Sequence, residues 1–578
     1  MLKALHAALF VAVLAGPVAA EDARSLAERA VAREQLGFKR EALDLLERAH
    51  ALAPADASIR AALGRAYLAV GDNDKARPHL EAAAALNDLG RLHAAEGRKA
   101  EALAAFRQVS GPPLLRAAAM ANAAELLPGD EARAMLERAD AALAEAPDSR
   151  EADYARIRHG VLWDAMNIEG KAYGQLSRAL DSAQARKDAL AESWAAGHLG
   201  ALYLKAGRGA EAMELTRRAV FAGQRAQADE SLYRWSWELA RLLDRAGEPE
   251  AAAGAYRRAL ASLQRIRQDV MLDLRAQRRS WRGAVGPLYL EYADLLLRRL
   301  PHETLPQARL VEARDTVEQL KAVELEDYFQ DDCVAGQLAR QKDISRIDER
   351  TAVLYPVVLA DRLEILVGRP DGLVQATLPV TAAALTTQAH AFRSLLEKRT
   401  TNQFMPHARR LYAALFAPLE PLLGKDVETV VFVPDGPLRG IPVAALHDGG
   451  RFLVERFAFV TAPGLSLVEP QSLAQRKAPE VLVNGLSEAV QEFPALPYVV
   501  EEMEELERVF AGARFLRDRQ FRLTAFERAL RARSYSIVHI ASHGEFDSDP
   551  KKSFLLTHDG RLTLDRLEQV MKAARFRE

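Results

Sequence analysis

One apolar run ends on a histidine and a glycine: Ser536-Ile537-Val538-His539-Ile540-Ala541-Ser542-His543-Gly544-Glu545-Phe546. An apolar run of this length predicts a buried strand, and open parallel sheets bind ligands at the carboxyl ends of their strands. The run therefore places His543, whose imidazole can take or return a proton near neutral pH, at a candidate site. His539 lies four residues earlier, and we expect it to be buried in the middle of the strand with a structural role.

The residues around this run alternate between apolar strand-like segments and charged helical ones. Near-continuous apolar strands separated by helices predict an α/β domain whose mainly parallel sheet is sandwiched between helices. The other predicted strands are 352–359, 363–367, 373–380, 429–433 and 480–483, and the predicted helices are 381–398, 405–423 and one that begins near 565. A short hairpin is predicted within 554–562.

Residues 21–334 show a different pattern, which is helical and repetitive. Leu-Gly-x-x-Tyr-x-x-x-Gly recurs, as in Leu63 to Gly71 and Leu199 to Gly207, and a helix with small and large apolar residues four apart follows. Gly37 and Gly71 are 34 residues apart, which is the tetratricopeptide period. The pattern resembles tetratricopeptide (TPR) repeats and predicts an α-helical superhelix with a concave surface. Such a surface typically binds a protein or peptide, although it can also serve only as a scaffold.

Three motifs in order resemble a known family. They are Val433-Pro434-Asp435-Gly436-Pro437-Leu438-Arg439-Gly440 with its apolar continuation, His539 to Phe546, and Ser553 to Thr557 followed by Asp559 to Leu564. Together they resemble the CHAT domain, a caspase- and separase-like module often found behind TPR repeats, over residues 352–578. Residues 335–351 are then a linker or helix.

The resemblance implies a caspase-like fold and cleavage of peptide bonds by a Cys/His dyad. It implies that His543 is the general base and that the backbone amide of Gly544 contributes to the oxyanion hole. Asp435 and Arg439 are candidates to line the substrate cleft, although turn and salt-bridge roles are the favoured interpretation for both.

The nucleophile that the family requires is absent from this sequence. The sole cysteine is Cys333, more than 200 residues before His543, and its acidic neighbours favour an inert thiol. We therefore expect this chain as given to be inactive. Two explanations stay open: a CHAT domain that is C-terminally incomplete, which is favoured and which would leave an exposed sheet edge of low stability, or a non-catalytic binding scaffold with a degenerate protease-like domain.

Charge and the N-terminus restrict the remaining possibilities. A net charge of −2 gives no electrostatic basis for nucleic-acid binding. Neither a cofactor motif nor paired metal-ligand spacing is recognised.

Residues 1–20 have the charged, apolar and small-residue parts of a secretory signal. Cleavage is predicted after Ala20, with export to a bacterial periplasm and no membrane-spanning segment.

Overall fold

The computed structural model describes residues 22–277, 279–299, 303–329, 349–398, 401–464, 480–545 and 552–575. The predicted signal segment 1–20, Cys333 and nearly all of the predicted linker 335–351 lie outside these ranges. The chain divides into two compact units, residues 1–469 and 470–578, which we call the first and second units.

The first unit begins with a helical array. Within the described residues, fourteen helices form seven successive pairs, each joined by a short turn, and four further helices follow. Their bounds are α1 Ala23–Gln35, α2 Lys39–Leu52, α3 Ala57–Ala69, α4 Asn73–Ala82, α5 Leu86–Ala95, α6 Lys99–Gln108, α7 Pro113–Leu126, α8 Gly129–Ala144, α9 Arg150–Ala165, α10 Glu169–Arg186, α11 Ala189–Lys205, α12 Gly209–Ala226, α13 Asp229–Arg245, α14 Pro249–Arg265, α15 Arg267–Ala276, α16 Trp281–Ala284, α17 Gly286–Leu297 and α18 Gln307–Phe329.

A glycine in the first helix of several pairs explains their close packing. A Cβ atom at Gly64 would lie 2.6 Å from Leu80, and one at Gly90 would lie 2.4 Å from Phe106. In both pairs the contacted residue is 16 positions later in the sequence, on the second helix. A larger residue at either position would displace the Leu80 or Phe106 side chain of the partner helix, because real Cβ atoms do not approach other atoms this closely. The small residue that the repeat pattern requires therefore has a direct packing function.

The glycine that ends the first helix of a pair is also explained by the structure. Gly37, Gly71, Gly97, Gly207 and Gly247 have φ angles between 75° and 95°. This left-handed conformation is accessible to glycine at little energetic cost, and it reverses the chain into the second helix. The predicted TPR-like array is thus confirmed.

Two of the seven pairs, α7–α8 and α9–α10, escaped the sequence pattern, and the second of them shows the same glycine contact. A Cβ at Gly160 in α9 would lie 2.5 Å from Leu176 in α10, again 16 residues away. The turn that follows α9 is made by Asn167 at a φ of 56° rather than by glycine. Asparagine tolerates this region better than most residues, so the pair keeps the repeat geometry with a different signature.

The array also contacts itself at long range. Lys39 at the start of α2 forms an ion pair with Asp273 of α15. The backbone N–H of Arg40 donates to the Asp269 carboxylate at 2.9 Å. These bonds join the first helix pair to a helix about 230 residues later in the chain.

A five-stranded mixed sheet completes the first unit, with strand order β3-β2-β1-β4-β5. Val353 and Tyr355 of β1 belong to the hydrophobic core that the helical array provides. Ala352 and Leu354, which alternate with them, pack with α19 and α20 on the opposite face. The bounds are β1 Thr351–Val358, β2 Leu363–Arg369, β3 Gly372–Leu378, α19 Ala382–Leu396, α20 Met405–Leu411, β4 Thr429–Phe432 and β5 Ala458–Thr461.

The second unit contains a parallel sheet of order β7-β6-β8 and an antiparallel sheet of order β11-β10-β9. Helix α21 packs on one face of the parallel sheet through Val499 and Met503, and α22 packs on the other through Phe526 and Leu530. The bounds are β6 Val481–Gly485, α21 Tyr498–Val509, β7 Arg514–Arg517, α22 Leu523–Ala532, β8 Ile537–Ala541, β9 Gly544–Glu545, β10 Phe554–Thr557, β11 Gly560–Thr563 and α23 Leu564–Arg575.

The predicted fold class, a helical superhelix followed by an α/β region with helices on both sheet faces, is confirmed. Pairing is parallel for β1–β4, β4–β5, β6–β7 and β6–β8. The remaining pairings are antiparallel, so only the second unit's β7-β6-β8 sheet is entirely parallel. In the described parts of the chain, no helix is both long and apolar enough to span a membrane.

Candidate functional site

His543 lies between two strands that belong to different sheets. Strand β8 ends at Ala541, and β9 begins at Gly544. Ser542 and His543 form the break, and the Ser542 hydroxyl donates to the carbonyl of Leu556 at 2.6 Å. The break therefore places His543 at the carboxyl end of a parallel strand, where the sequence predicts the site.

The side chain of His543 is oriented by a backbone carbonyl. Its Nε2 lies 2.7 Å from the carbonyl oxygen of Pro494. A carbonyl oxygen can only accept, so this bond requires a hydrogen on Nε2. In the neutral ring Nδ1 then carries the lone pair, which is the form that can accept a proton from a nucleophile.

An aromatic cluster fixes the plane of the same ring. The Phe493 ring lies 5.1 Å from the His543 ring, centroid to centroid. Phe554 of β10 packs edge-to-face on Phe493 at 6.1 Å. The imidazole is thus held by one hydrogen bond and one apolar contact, both from the segment before α21.

Gly544 directs its N–H away from the sheet. The N–H of Leu556 donates to the carbonyl of His543 at 2.8 Å, and Gly544 is paired with Leu555. Antiparallel partners alternate between hydrogen-bonded and non-hydrogen-bonded pairs, so Gly544 and Leu555 form the second kind. The Gly544 N–H consequently points outward from β9, the edge strand of its sheet among the described residues, and Gly544 is exposed.

The segment that covers His543, residues 487–497, is anchored by Asp518. The Asp518 carboxylate accepts hydrogen bonds from the N–H and hydroxyl of Ser487, at 2.7 and 2.9 Å, and from the N–H of Glu488 at 3.2 Å. Asp518 itself has a φ of 43°, a left-handed conformation that is uncommon for a residue with a Cβ. Glu492 of the same segment forms an ion pair with Arg561 of β11.

His539 lies in mid-strand as predicted, but the prediction that it is buried is wrong. Its side chain is 32% exposed, and its Nε2 lies 3.0 Å from a carboxylate oxygen of Glu502 on α21. The reason is the position of its strand, because β8 lies at the edge of the sheet within the described residues. Ile537 of the same strand is 38% exposed.

Asp435 and Arg439 lie in the first unit, just after β4, in a network of charges. Asp435 is 1% exposed, and its carboxylate lies 2.9 Å from a guanidinium nitrogen of Arg282. Arg439 is half exposed and pairs with Glu324 of α18 at 2.5 Å. Burial alone would raise the pKa of Asp435, but Arg282, with smaller contributions from Lys321 and Arg439, holds it below its usual value.

Lys321 of α18 also belongs to this network. Its ammonium group donates to the carbonyls of Val433 and Pro434, at 2.8 and 2.6 Å. Desolvation lowers the pKa of Lys321 to about 8. The network joins the helical array to the end of β4, which gives Asp435 and Arg439 a structural role. Their assignment to a substrate cleft stays a prediction.

The sequence did not identify Phe493, Pro494 or Asp518 as contributors to the site. None of them belongs to a recognisable motif, because Pro494 acts through its backbone carbonyl and Phe493 through its ring face. The only available signal was the position of the segment, which follows the carboxyl end of β6, a neighbour of β8.

Comparison with known proteins identifies the C-terminal region. The family model described as CHAT domain matches residues 405–576. No curated protein matches the chain. Residues 405–576 therefore form a CHAT domain, which is related to caspase-like peptidases, and it follows a TPR-like helical array.

Several solved structures are similar to part of the chain. A thermophilic TPR protein of Thermus thermophilus has 20% identity and a TM-score of 0.22, covering 36% of this chain and 98% of its own. PilW, a type IV pilus biogenesis factor, has 18% identity and a TM-score of 0.24, covering 42% and 92%. A Rap protein in complex with competence and sporulation factor has 12% identity and a TM-score of 0.30, covering 55% and 99%.

Proposed function

We propose the function of a cysteine endopeptidase of the CHAT type, with His543 as general base, the Gly544 N–H in the oxyanion hole and a nucleophilic cysteine that is missing from this chain. The observation that carries the proposal is the 2.7 Å contact between His543 Nε2 and the Pro494 carbonyl. This contact leaves Nδ1 as the basic atom of the neutral ring. The next residue is Gly544, whose N–H points away from β10, on the side of β9 where no described strand is paired.

In the proposed reaction, Nδ1 of His543 takes the proton of a cysteine thiol. The thiolate attacks the carbonyl carbon of the scissile bond, and the negative charge on the oxygen is stabilised by the Gly544 N–H. The C–N bond then breaks as the imidazolium returns its proton to the leaving amine. Water, deprotonated by the same imidazole, hydrolyses the thioester and regenerates the thiol.

The nucleophile in this proposal is a cysteine that this sequence does not contain. Cys333, the sole cysteine, lies outside the described residues, and nothing supports its proximity to His543. The chain alone is therefore expected to have no peptidase activity.

The coding DNA beyond the Glu578 codon provides the test. The proposal expects an open frame that continues into an apolar strand ending in cysteine. In the protein expressed from that frame, His543→Gln should lower kcat for casein cleavage by about a thousandfold or more. A stop codon directly after Glu578, or cleavage that His543→Gln leaves unchanged, would contradict the proposal.

A second candidate function is a non-catalytic protein-binding scaffold. The presence of a single cysteine, located in another part of the sequence from His543, favours it. In this alternative the CHAT domain reflects ancestry, and the helical array carries the function. A continued frame in which another residue stands at the end of the next strand would support it.

We also propose that the helical array binds a protein or peptide on its concave surface and that the protein is exported to a bacterial periplasm. Stacked helix pairs support the first proposal, because such arrays present extended concave surfaces. The pattern of residues 1–20 supports the second. N-terminal sequencing of the protein recovered from a periplasmic fraction should begin at Glu21, and recovery of the intact N-terminus from the cytoplasm would contradict export.

A further inference from the structure

A cavity of about 390 Å³ lies within the helical array, bordered by α11, α13 and α15. Its walls combine aromatic side chains of α13, among them Trp235 and Trp237, with Val270 and Leu274 of α15. Cavities of this size accommodate a large side chain with part of its backbone, or a small molecule. We call it the array cavity.

Two tryptophans of the array cavity differ in how their N–H groups are satisfied. The indole N–H of Trp237 donates to Glu291 at 2.8 Å. Trp235 is only 6% exposed, and its buried indole N–H has no acceptor among the described residues. Trp235 therefore contributes to the lining of the array cavity a donor that has no partner among the described residues.

The position of Trp235 is determined by a glycine. A Cβ at Gly197 of α11 would lie 2.1 Å from the indole of Trp235. The ring therefore lies directly on the backbone of α11, and His198 packs edge-to-face against it at 5.0 Å. Desolvation lowers the pKa of His198 to about 4, so this ring is neutral at pH 7.

The charges around the array cavity favour an anionic group. Its carboxylates are already paired with cations, Asp273 with Lys39 and Glu238 with Arg241. Arg234 lies at the cavity with its side chain 47% exposed, and its ion pair with Glu230 is a single contact of 3.3 Å. A guanidinium has five N–H donors, so most of those on Arg234 stay available.

A second guanidinium, that of the exposed Arg279, borders the same cavity. An incoming carboxylate would therefore meet available donors on two arginines. An incoming cation would instead have to displace Lys39 or Arg241 from an existing ion pair.

We propose that the array cavity binds a peptide segment in which an aromatic residue is followed by an acidic one. The aromatic ring inserts into the array cavity against the aromatic side chains of α13, where an offset or edge-to-face arrangement is favourable. The acidic side chain pairs with Arg234 and Arg279, and a peptide carbonyl accepts the N–H of Trp235. The inference rests on the proposed peptide-binding role of the helical array, to which it adds the site and the chemistry of the ligand.

The test uses the full-length protein and an array of immobilised hexapeptides, Gly-Gly-X-Z-Gly-Gly, with every residue type at X and at Z. The strongest binding is expected where X is Phe, Tyr or Trp and Z is Asp or Glu. Replacing Asp by Asn at Z should weaken binding at least about fivefold, as loss of a charged pair predicts.

Three variants assign the binding to the array cavity. Trp237→Ala should weaken the aromatic–acidic peptides by about tenfold or more, and Trp235→Phe, which keeps a ring but removes the N–H, by a few fold. Phe221→Ala is the matched control, because Phe221 is an exposed aromatic residue that does not line the cavity. Far-ultraviolet circular dichroism establishes that each variant is folded.

The proposal would be overturned if no peptide bound or if binding were strongest at other X–Z pairs. It would also be overturned if Trp235→Phe and Trp237→Ala both bound the aromatic–acidic peptides as tightly as the wild type does. The array measures binding without hydrolysis, so its outcome is independent of the cysteine that peptidase activity requires. Failure of the cavity proposal and failure of the proposed peptidase function can therefore be told apart.

Discussion

The carboxyl ends of β4 and β8 have similar sequence patterns but differ in the burial and bonding of their polar groups. Both are short apolar strands followed by polar residues and a glycine. After β4, Asp435 is buried and its charge is balanced within the protein by Arg282. After β8, Gly544 is exposed, and its N–H points away from its sheet.

The difference shows how a structural strand end is distinguished from a functional one. At β4 the protein itself supplies the partners of the charged groups, so the polar residues stabilise a junction. At β8 the one hydrogen-bond partner of the His543 ring among the described residues is the Pro494 carbonyl, which orients the ring and leaves its other nitrogen for chemistry. Substitutions at the two ends should therefore affect different properties.

The largest expected effect is on stability at the β4 end. Arg282→Met leaves the buried Asp435 carboxylate without its 2.9 Å partner, and removal of one member of a buried pair costs about 3–5 kcal/mol. Urea unfolding followed by circular dichroism measures the loss. Arg439→Met is the matched control, since Arg439 is half exposed, and it should cost about 1 kcal/mol or less. Equal losses in the two variants would contradict the assigned roles.

Lys321 gives the same junction a dependence on pH. The pKa is 10.5 for an ordinary lysine and about 8 in the folded protein, so between these values the unfolded chain binds the additional proton. Stability of the wild type should therefore rise with pH in this window relative to Lys321→Met, by about 3 kcal/mol in all. Unfolding free energies of both proteins measured from pH 7 to pH 10.5 provide the check, and a constant difference between them would mean that folding does not lower the pKa of Lys321.

Hydrogen exchange should distinguish two neighbouring amides at the β8 end. The Leu556 N–H is bonded to the His543 carbonyl, whereas the Gly544 N–H points outward. We expect the Gly544 amide to exchange about a hundredfold faster than that of Leu556. Selective ¹⁵N labelling of glycine and leucine makes both rates measurable, and comparable protection of the two amides would mean that the Gly544 N–H is not free for an oxyanion.

Much of this organisation was predictable from the sequence, for reasons that differ between regions. The repeats were recognised because Gly64 and Gly71 are required by packing and by a left-handed turn, which no other residue satisfies as well. The pair that contains Gly160 was missed because Asn167 makes its turn. Strand β7 was missed because Arg514 and Arg517 enclose only two apolar residues, too few to predict a strand.

The site was predictable only in part. His543 and Gly544 were found from a motif at the end of an apolar run, whereas Pro494 contributes a carbonyl that every residue type has. The exposure of His539 depends on which strand lies at the sheet edge, and strand order is a tertiary property. Arg282, the partner of Asp435, is 153 residues earlier in the chain and could not be assigned by spacing.

The smallest effect on stability is expected for His543 itself. His543→Gln loses one hydrogen bond to a backbone carbonyl and part of the contact with Phe493, so it should cost about 1 kcal/mol or less. Urea unfolding under the conditions used for Arg282→Met provides the comparison. A loss as large as that of Arg282→Met would show that the β8 end is also structural.

The tautomer of His543 tests the central claim most directly. Long-range ¹H–¹⁵N correlation spectra of the ¹⁵N-histidine-labelled protein, recorded at high pH where the ring is neutral and assigned with His543→Gln, report which ring nitrogen carries the proton. The structure predicts a protonated Nε2, bonded to Pro494, and an unprotonated Nδ1 able to act as base. A ring protonated on Nδ1 instead would contradict both the orientation by Pro494 and the role of His543 as general base.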